Sequence, residues 1–146
     1  MIISIASDHA GFCQKQPLAA YLREQGYDVL DRGPESEDRV DYPDYAALVA
    51  CDIASGEADR GVLVCGTGIG MAVAANKMRG IRAANVVTPE FAALAREHND
   101  ANIVTVSARF VDEAVNRAIL DAFLSTDFGG GRHADRVAKI AALESN

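Results

Sequence analysis

Residues 61–71 read GVLVCGTGIGM, an apolar run that ends in a cysteine and breaks at once into alternating glycines. Few folds accommodate such a segment. Val62, Leu63 and Val64 have the continuous apolar character of a strand buried on both faces, which is a property of parallel sheets. Gly66, Gly68 and Gly70 permit a tight turn, and the AVAANK that follows at 72–77 reads as a helix. Strand, turn and helix in that order form half of a crossover unit, with the turn at the carboxyl end of its strand. Unpaired N–H groups at the helix start favour negative charge there. Cys65 stands in that field as a candidate base or nucleophile. The competing reading is a buried structural cysteine beside a turn that is glycine-rich only for packing. The spacing is not G-x-G-x-x-G and no G-x-x-x-x-G-K-[ST] occurs, which disfavours dinucleotide and nucleoside triphosphate sites.

Strand and helix signals alternate along the rest of the chain. Strands are expected near 2–6, 27–30, 61–65, 81–86 and 103–106, and helices near 18–25, 45–54, 72–77, 89–97, 111–124 and 133–143, with Pro17 in the first turn of the first helix. This alternation predicts one α/β domain over 1–146, a Rossmann-like parallel sheet covered on both faces in three α/β/α layers. A chain of 146 residues, 49% hydrophobic, supplies one sizeable core. The last helix, about 132–144, follows Gly129-Gly130-Gly131 and either closes its own core or packs on a second copy.

Charge and composition remove several function classes. A net charge of −7 opposes nonspecific binding of nucleic acid or of an anionic membrane, so any anionic ligand needs a local basic cluster. No apolar run approaches the roughly 20 residues of a membrane helix. The N-terminal MIISIASDHAG lacks a basic leader and reads as a first strand, so the expected location is cytoplasmic. Cys13, Cys51 and Cys65 form no C-x-x-C pair, which suggests neither a disulfide framework nor a zinc site.

Ligands of open parallel sheets bind outside the carboxyl ends of the strands. Asp8 and His9 follow the first strand, Cys65 to Gly70 the third, and Arg109 the fifth, so the topology gathers them at one edge. His98 and Asn99 precede the fifth strand and belong to the opposite edge, unless the loop folds over or a neighbouring subunit presents them. Arg132 and Arg136, four residues apart, place two guanidinium groups on one helix face, a natural clamp for a phosphate dianion. Taken alone they also read as ordinary surface arginines. Asp8, His9 and His98 lack a compact metal-ligand spacing, and no metal is expected.

Assembled in order, SDHAGF at 7–12, DYPDYA at 41–46, CGTGIGMAVAANK at 65–77, GIRA at 80–83, REHNDAN at 96–102 and GGRHADRV at 130–137 resemble the ribose-5-phosphate isomerase B family, which belongs with the galactose- and allose-6-phosphate isomerases. The resemblance implies a five-stranded α/β/α sandwich and a homodimer, or a homotetramer, with sites at the subunit interface. The implied activity is metal-independent and cofactor-free interconversion of D-ribose 5-phosphate and D-ribulose 5-phosphate. Hexose 6-phosphates are the alternative substrates, and a non-catalytic sugar-phosphate sensor is the alternative outside enzymes. By the same resemblance Cys65 is the base between C1 and C2, and His98 assists ring opening. Asp8, His9 and Asn99 contact substrate, while Gly66, Thr67, Gly68, Ile69 and Gly70 bind the enediolate oxygen through backbone N–H groups. His9, Arg109, Arg132 and Arg136 handle phosphate. Some members carry a glutamate base just after the glycine turn, where this chain has Met71. Other departures are Cys13 and Gln14, where a charged residue and leucine are usual, and Ser107 in place of a common glycine.

Overall fold

Five aliphatic runs pair in parallel in the computed structural model, which describes residues 1–145; residue 146, the last of the expected domain, lies outside the described residues. The strands are β1 (Ile2–Ser7), β2 (Asp28–Asp31), β3 (Arg60–Cys65), β4 (Ala83–Asn85) and β5 (Ile103–Ser107), in the spatial order β2-β1-β3-β5-β4. Winding reverses between β1 and β3, so the crevice where ligands of such sheets bind opens between their carboxyl ends. Register aligns those ends, with Ser7 beside Val64 and Cys65 beside Ser107.

The helices are α1 (Phe12–Glu24), α2 (Tyr42–Ser55), α3 (Ile69–Ala75), α4 (Pro89–Asn99), α5 (Glu113–Ser125) and α6 (Arg132–Ala142), the last followed by a short 3-10 turn, Leu143–Ser145. Side chains alternate across each strand, which builds two cores. Ile3, Ile5, Val62, Val64, Val104 and Val106 meet Leu18 and Leu22 of α1, Ala92 and Ala95 of α4, and Ile119, Leu120 and Phe123 of α5. On the other face Ala6, Leu63, Cys65 and Ile103 meet Ala46, Val49 and Ala50 of α2 with Met71 and Ala75 of α3. The three-layer sandwich is the one the alternation predicts. By contrast, no residue of α6 is buried.

Pro17 is a correction: it lies inside α1, and not in its first turn. The helix begins early because the preceding loop builds its start. Asp8 Oδ1 accepts the Gly11 N–H at 2.9 Å, and Gly11 C=O accepts from Gln14 and Lys15 at 3.1 and 2.9 Å. The Cys13 carbonyl that Pro17 cannot serve belongs to an exposed residue. Likewise α2 starts at Tyr42, with Pro43 in its first turn, and α3 starts at Ile69 directly from the glycine turn. Strand β4 is shorter than 81–86 because Asn102 Oδ1 takes the Arg82 N–H at 2.8 Å.

Gly11 is where the loop after β1 crosses β3. A Cβ there would lie 2.1 Å from the Val64 carbonyl oxygen, which is backbone and cannot step aside. Gly11→Ala is therefore expected to cost about 3 kcal/mol of stability. Urea unfolding measures it, and a loss within experimental error would show that the crossing has slack.

Candidate active site

Cys65 ends β3 and is 95% buried, with 5% of its surface exposed; its Sγ accepts the Gly68 N–H at 3.0 Å. A thiolate accepts such a bond more strongly than a thiol does. Gly68 adopts φ 81°, and a Cβ there would lie 2.2 Å from Asn85 Nδ2, so both conformation and space require glycine. Thr67 Oγ1 accepts the Ile69 N–H at 3.2 Å, closing the turn locally. The Gly68 and Ile69 amides are thus already engaged within the turn, by Cys65 Sγ and Thr67 Oγ1. Asn85 ties the turn to the sheet, donating to Thr67 C=O at 3.2 Å and to Thr105 Oγ1 at 3.0 Å. Met71 is fully buried, packed in the same core cluster of α2 and α3 as Cys65.

Asp8 and His9 enter the same crevice from β1. Asp8 is buried and spends Oδ1 on the Gly11 amide, while His9 Nδ1 stands 3.2 Å from Val40 C=O, which fixes its ring against the 32–41 loop. Arg109 follows β5. Its N–H donates to Gly66 C=O at 3.2 Å, and its guanidinium lies over that glycine, where a Cβ would sit 3.2 Å from the Arg109 Cζ. One edge therefore unites Asp8, His9, Cys65 to Gly70 and Arg109, as the topology predicts.

His98, Asn99, Arg132 and Arg136 are not part of that edge. α4 runs back across the sheet and delivers His98 and Asn99 to the start of β5, whereas Cys65 pairs with Ser107 at its end. The strand between spans about 13 Å, so within one chain His98 and Cys65 cannot act on the same carbon–carbon bond. His98 stacks on His133 with ring centroids 4.3 Å apart and planes 11° from parallel. Gly129 N–H donates to Glu97 C=O at 2.9 Å, which brings the start of α6 and its arginines beside the end of α4. Partial burial lowers the affinity of His133 for a proton, and His98, Arg132 and Arg136 lower it further. Desolvation is the leading cause, the neighbouring cations add to it, and Glu97 opposes them. Asn99 borders a groove of 880 Å³ that reaches Ile140 and Leu143 but not Cys65.

A family model described as Ribose/Galactose Isomerase matches residues 3–140. The chain belongs to that family. It is 45% identical to ribose-5-phosphate isomerase B of Escherichia coli (strain K12) over 97% of this chain and 95% of the relative. Among solved structures, ribose-5-phosphate isomerase B of Clostridium thermocellum superposes with a TM-score of 0.98 at 46% identity, covering 99% of this chain and 98% of that one. The Mycoplasma genitalium ribose-5-phosphate isomerase B with bound ribulose-5-phosphate superposes with a TM-score of 0.94 at 44% identity, covering 99% and 97%.

For this ribose/galactose isomerase family member, sequence reasoning did not single out Asn85 or the packing of His133. His133 gave no signal beyond a histidine among arginines, since its stacking partner is on another helix. Asn85 had one readable clue, an amide side chain at the end of a strand next to the expected crevice. Among the described residues no group of three or more His, Cys, Asp or Glu is placed to hold a metal ion, and no helix is long and apolar enough to cross a membrane.

Proposed function

We propose that this chain interconverts D-ribose 5-phosphate and D-ribulose 5-phosphate, with Cys65 as the base. The observation that carries the reading is the Cys65 thiol seated in the glycine turn at the carboxyl end of β3, its Sγ held by the Gly68 N–H. The family's ribose-5-phosphate isomerase B members, one solved with ribulose-5-phosphate, support the choice of sugar. In the forward direction the Cys65 thiolate removes the proton from C2 of the open-chain aldose. Electrons move into the C1–C2 bond, and the C1 oxygen takes negative charge before the amides of Gly66, Thr67 and Gly70. Return of the proton to C1, with transfer of the hydroxyl proton from the C2 oxygen to the C1 oxygen, gives the ketose. A positioned base and a preorganised oxyanion cradle are what this chemistry requires.

The working site is composite in this reading. One subunit supplies Asp8, His9, Cys65, the turn and Arg109, and its partner supplies His98 for ring opening, Asn99, and the Arg132 and Arg136 clamp. Support comes from the division of these groups between opposite sheet edges, and from apolar side chains exposed on α3 and α4, among them Ile69, Val73 and Phe91 at 57, 58 and 58%. A phosphate held far from C1 and C2 positions the open-chain sugar over the thiolate, which gives an arginine cluster in an acidic chain its purpose.

The test is proton NMR of chelator-treated protein with D-ribose 5-phosphate in D₂O. Ribulose 5-phosphate should appear with deuterium entering the carbon-bound positions. No turnover with the pentose but turnover with allose or galactose 6-phosphate would move the reading to a hexose phosphate. No turnover with any of them would leave a sugar-phosphate sensor.

A further inference from the structure

Two positions at which the sequence departs from the family pattern, Gln14 on α1 and Ser107 at the end of β5, meet in space through Asn116 on α5. Asn116 is fully buried, and its Nδ2 donates to Gln14 Oε1 at 2.7 Å and to Ser107 C=O at 2.9 Å. Gln14 Nε2 in turn donates to Ala108 C=O at 3.1 Å and Val111 C=O at 2.9 Å. Ser107 Oγ donates to Gly66 C=O at 2.7 Å and accepts the Phe110 N–H at 3.0 Å. Backbone groups of 107, 108, 110 and 111 are therefore each held by one of these side chains. Arg109 is the residue enclosed between them.

Arg109 is exposed, and among the described residues its guanidinium makes no ion pair, although its backbone is anchored and its side chain lies over Gly66. A cation fixed from behind and left without a carboxylate is arranged for an anion from outside. Leucine, usual at position 14 in the family, has neither donor nor acceptor for this arrangement. The polar strut is built where α1, β5 and α5 converge. Asn116 Oδ1 is buried without a partner among the described residues, so the strut is held by the donors of Asn116, Gln14 and Ser107, whose bonds fix the backbone more directionally than apolar packing would.

We propose that Gln14, Asn116 and Ser107 are positioning residues that fix Arg109 over the Gly66 turn and so set how tightly this chain grips the phosphate of its substrate. This rests on the reading of Arg109 as a phosphate ligand given above. The test compares the parent, Gln14→Leu, Arg109→Ala and the double variant. Each is measured for kcat and KM with ribose 5-phosphate and, by calorimetry, for binding of inorganic phosphate. Gln14→Leu should raise KM and the phosphate dissociation constant about three- to tenfold with kcat within about twofold, the size of effect expected from lost neutral hydrogen bonds. In the Arg109→Ala background the same change should do nothing further, because residues acting through one group are not additive. Asn116→Ala cuts the strut from its other side and should give the same pattern. Thermal melting identifies a variant that has merely lost stability.

Equal losses from Gln14→Leu with and without Arg109, or a fall in kcat at unchanged KM, would overturn the proposal. If Arg109→Ala itself leaves phosphate binding unchanged, the reading of Arg109 fails and takes the proposal with it. A parent protein that binds phosphate but does not turn over ribose 5-phosphate would instead refute the substrate, and the calorimetric comparison would still decide for or against the strut.

Discussion

Cys65→Ala is expected to lower turnover of ribose 5-phosphate by about a thousandfold, the middle of the range for loss of a general base, while inorganic phosphate binds as before. The expectation follows from what surrounds the thiol. It is the only cysteine of the chain that is not exposed, it ends β3 at the crevice, and its Sγ already receives the Gly68 amide. No substitute base is at hand on the same turn. Met71 has no proton-accepting group and is fully buried, and Asp8 has an oxygen committed to the Gly11 amide. Alanine removes the Sγ acceptor of the Gly68 N–H, but Thr67 Oγ1 and Asn85 still hold the turn, so the loss should fall on kcat and on deuterium exchange at C2 rather than on KM. Turnover within about tenfold of the parent would assign proton transfer to another group.

The arrangement around Cys65 was largely legible in the sequence, because it is local. An apolar run, a cysteine and closely spaced glycines lie within one strand–turn–helix unit, and the carboxyl-edge rule extends that unit to Asp8, His9 and Arg109 without any tertiary detail. The opposite location of His98 and Asn99 was equally readable, since they precede the strand that Arg109 follows. The supports were not legible. Gln14 and Asn116 are 102 residues apart, and nothing in either local pattern announces that an amide on α1 will meet one on α5. The early start of α1, which puts Pro17 inside the helix, depends on the Asp8 carboxylate reaching the Gly11 amide. Proline's preference for a first turn is weaker than that loop geometry. The stack of His133 on His98 was illegible for the same reason, since it joins two helices.

Mixing two inactive variants should restore activity if the site is shared between subunits. Cys65→Ala removes the base from one half-site. Arg132→Ala combined with Arg136→Ala removes the clamp from the other, where each lost charged contact to phosphate costs about 1.5–3 kcal/mol of binding. Neither arginine is buried and no residue of α6 belongs to the core, so the double variant should fold as the parent does. After subunit exchange, half of the dimers are mixed. In each mixed dimer one site combines both defects and the other combines the intact thiol of one chain with the intact clamp of its partner. Activity at low substrate should therefore recover to about a quarter of the parent's, a value set by two-fold symmetry alone. A single-chain site predicts no recovery at all, because every chain in the mixture then carries a defect in its own site. The contrast is large because one strand length separates the two edges: β5 carries Arg109 beyond its end and receives His98 before its start, so under the shared-site proposal the two half-sites lie on different chains and only a mixed pair can complete one.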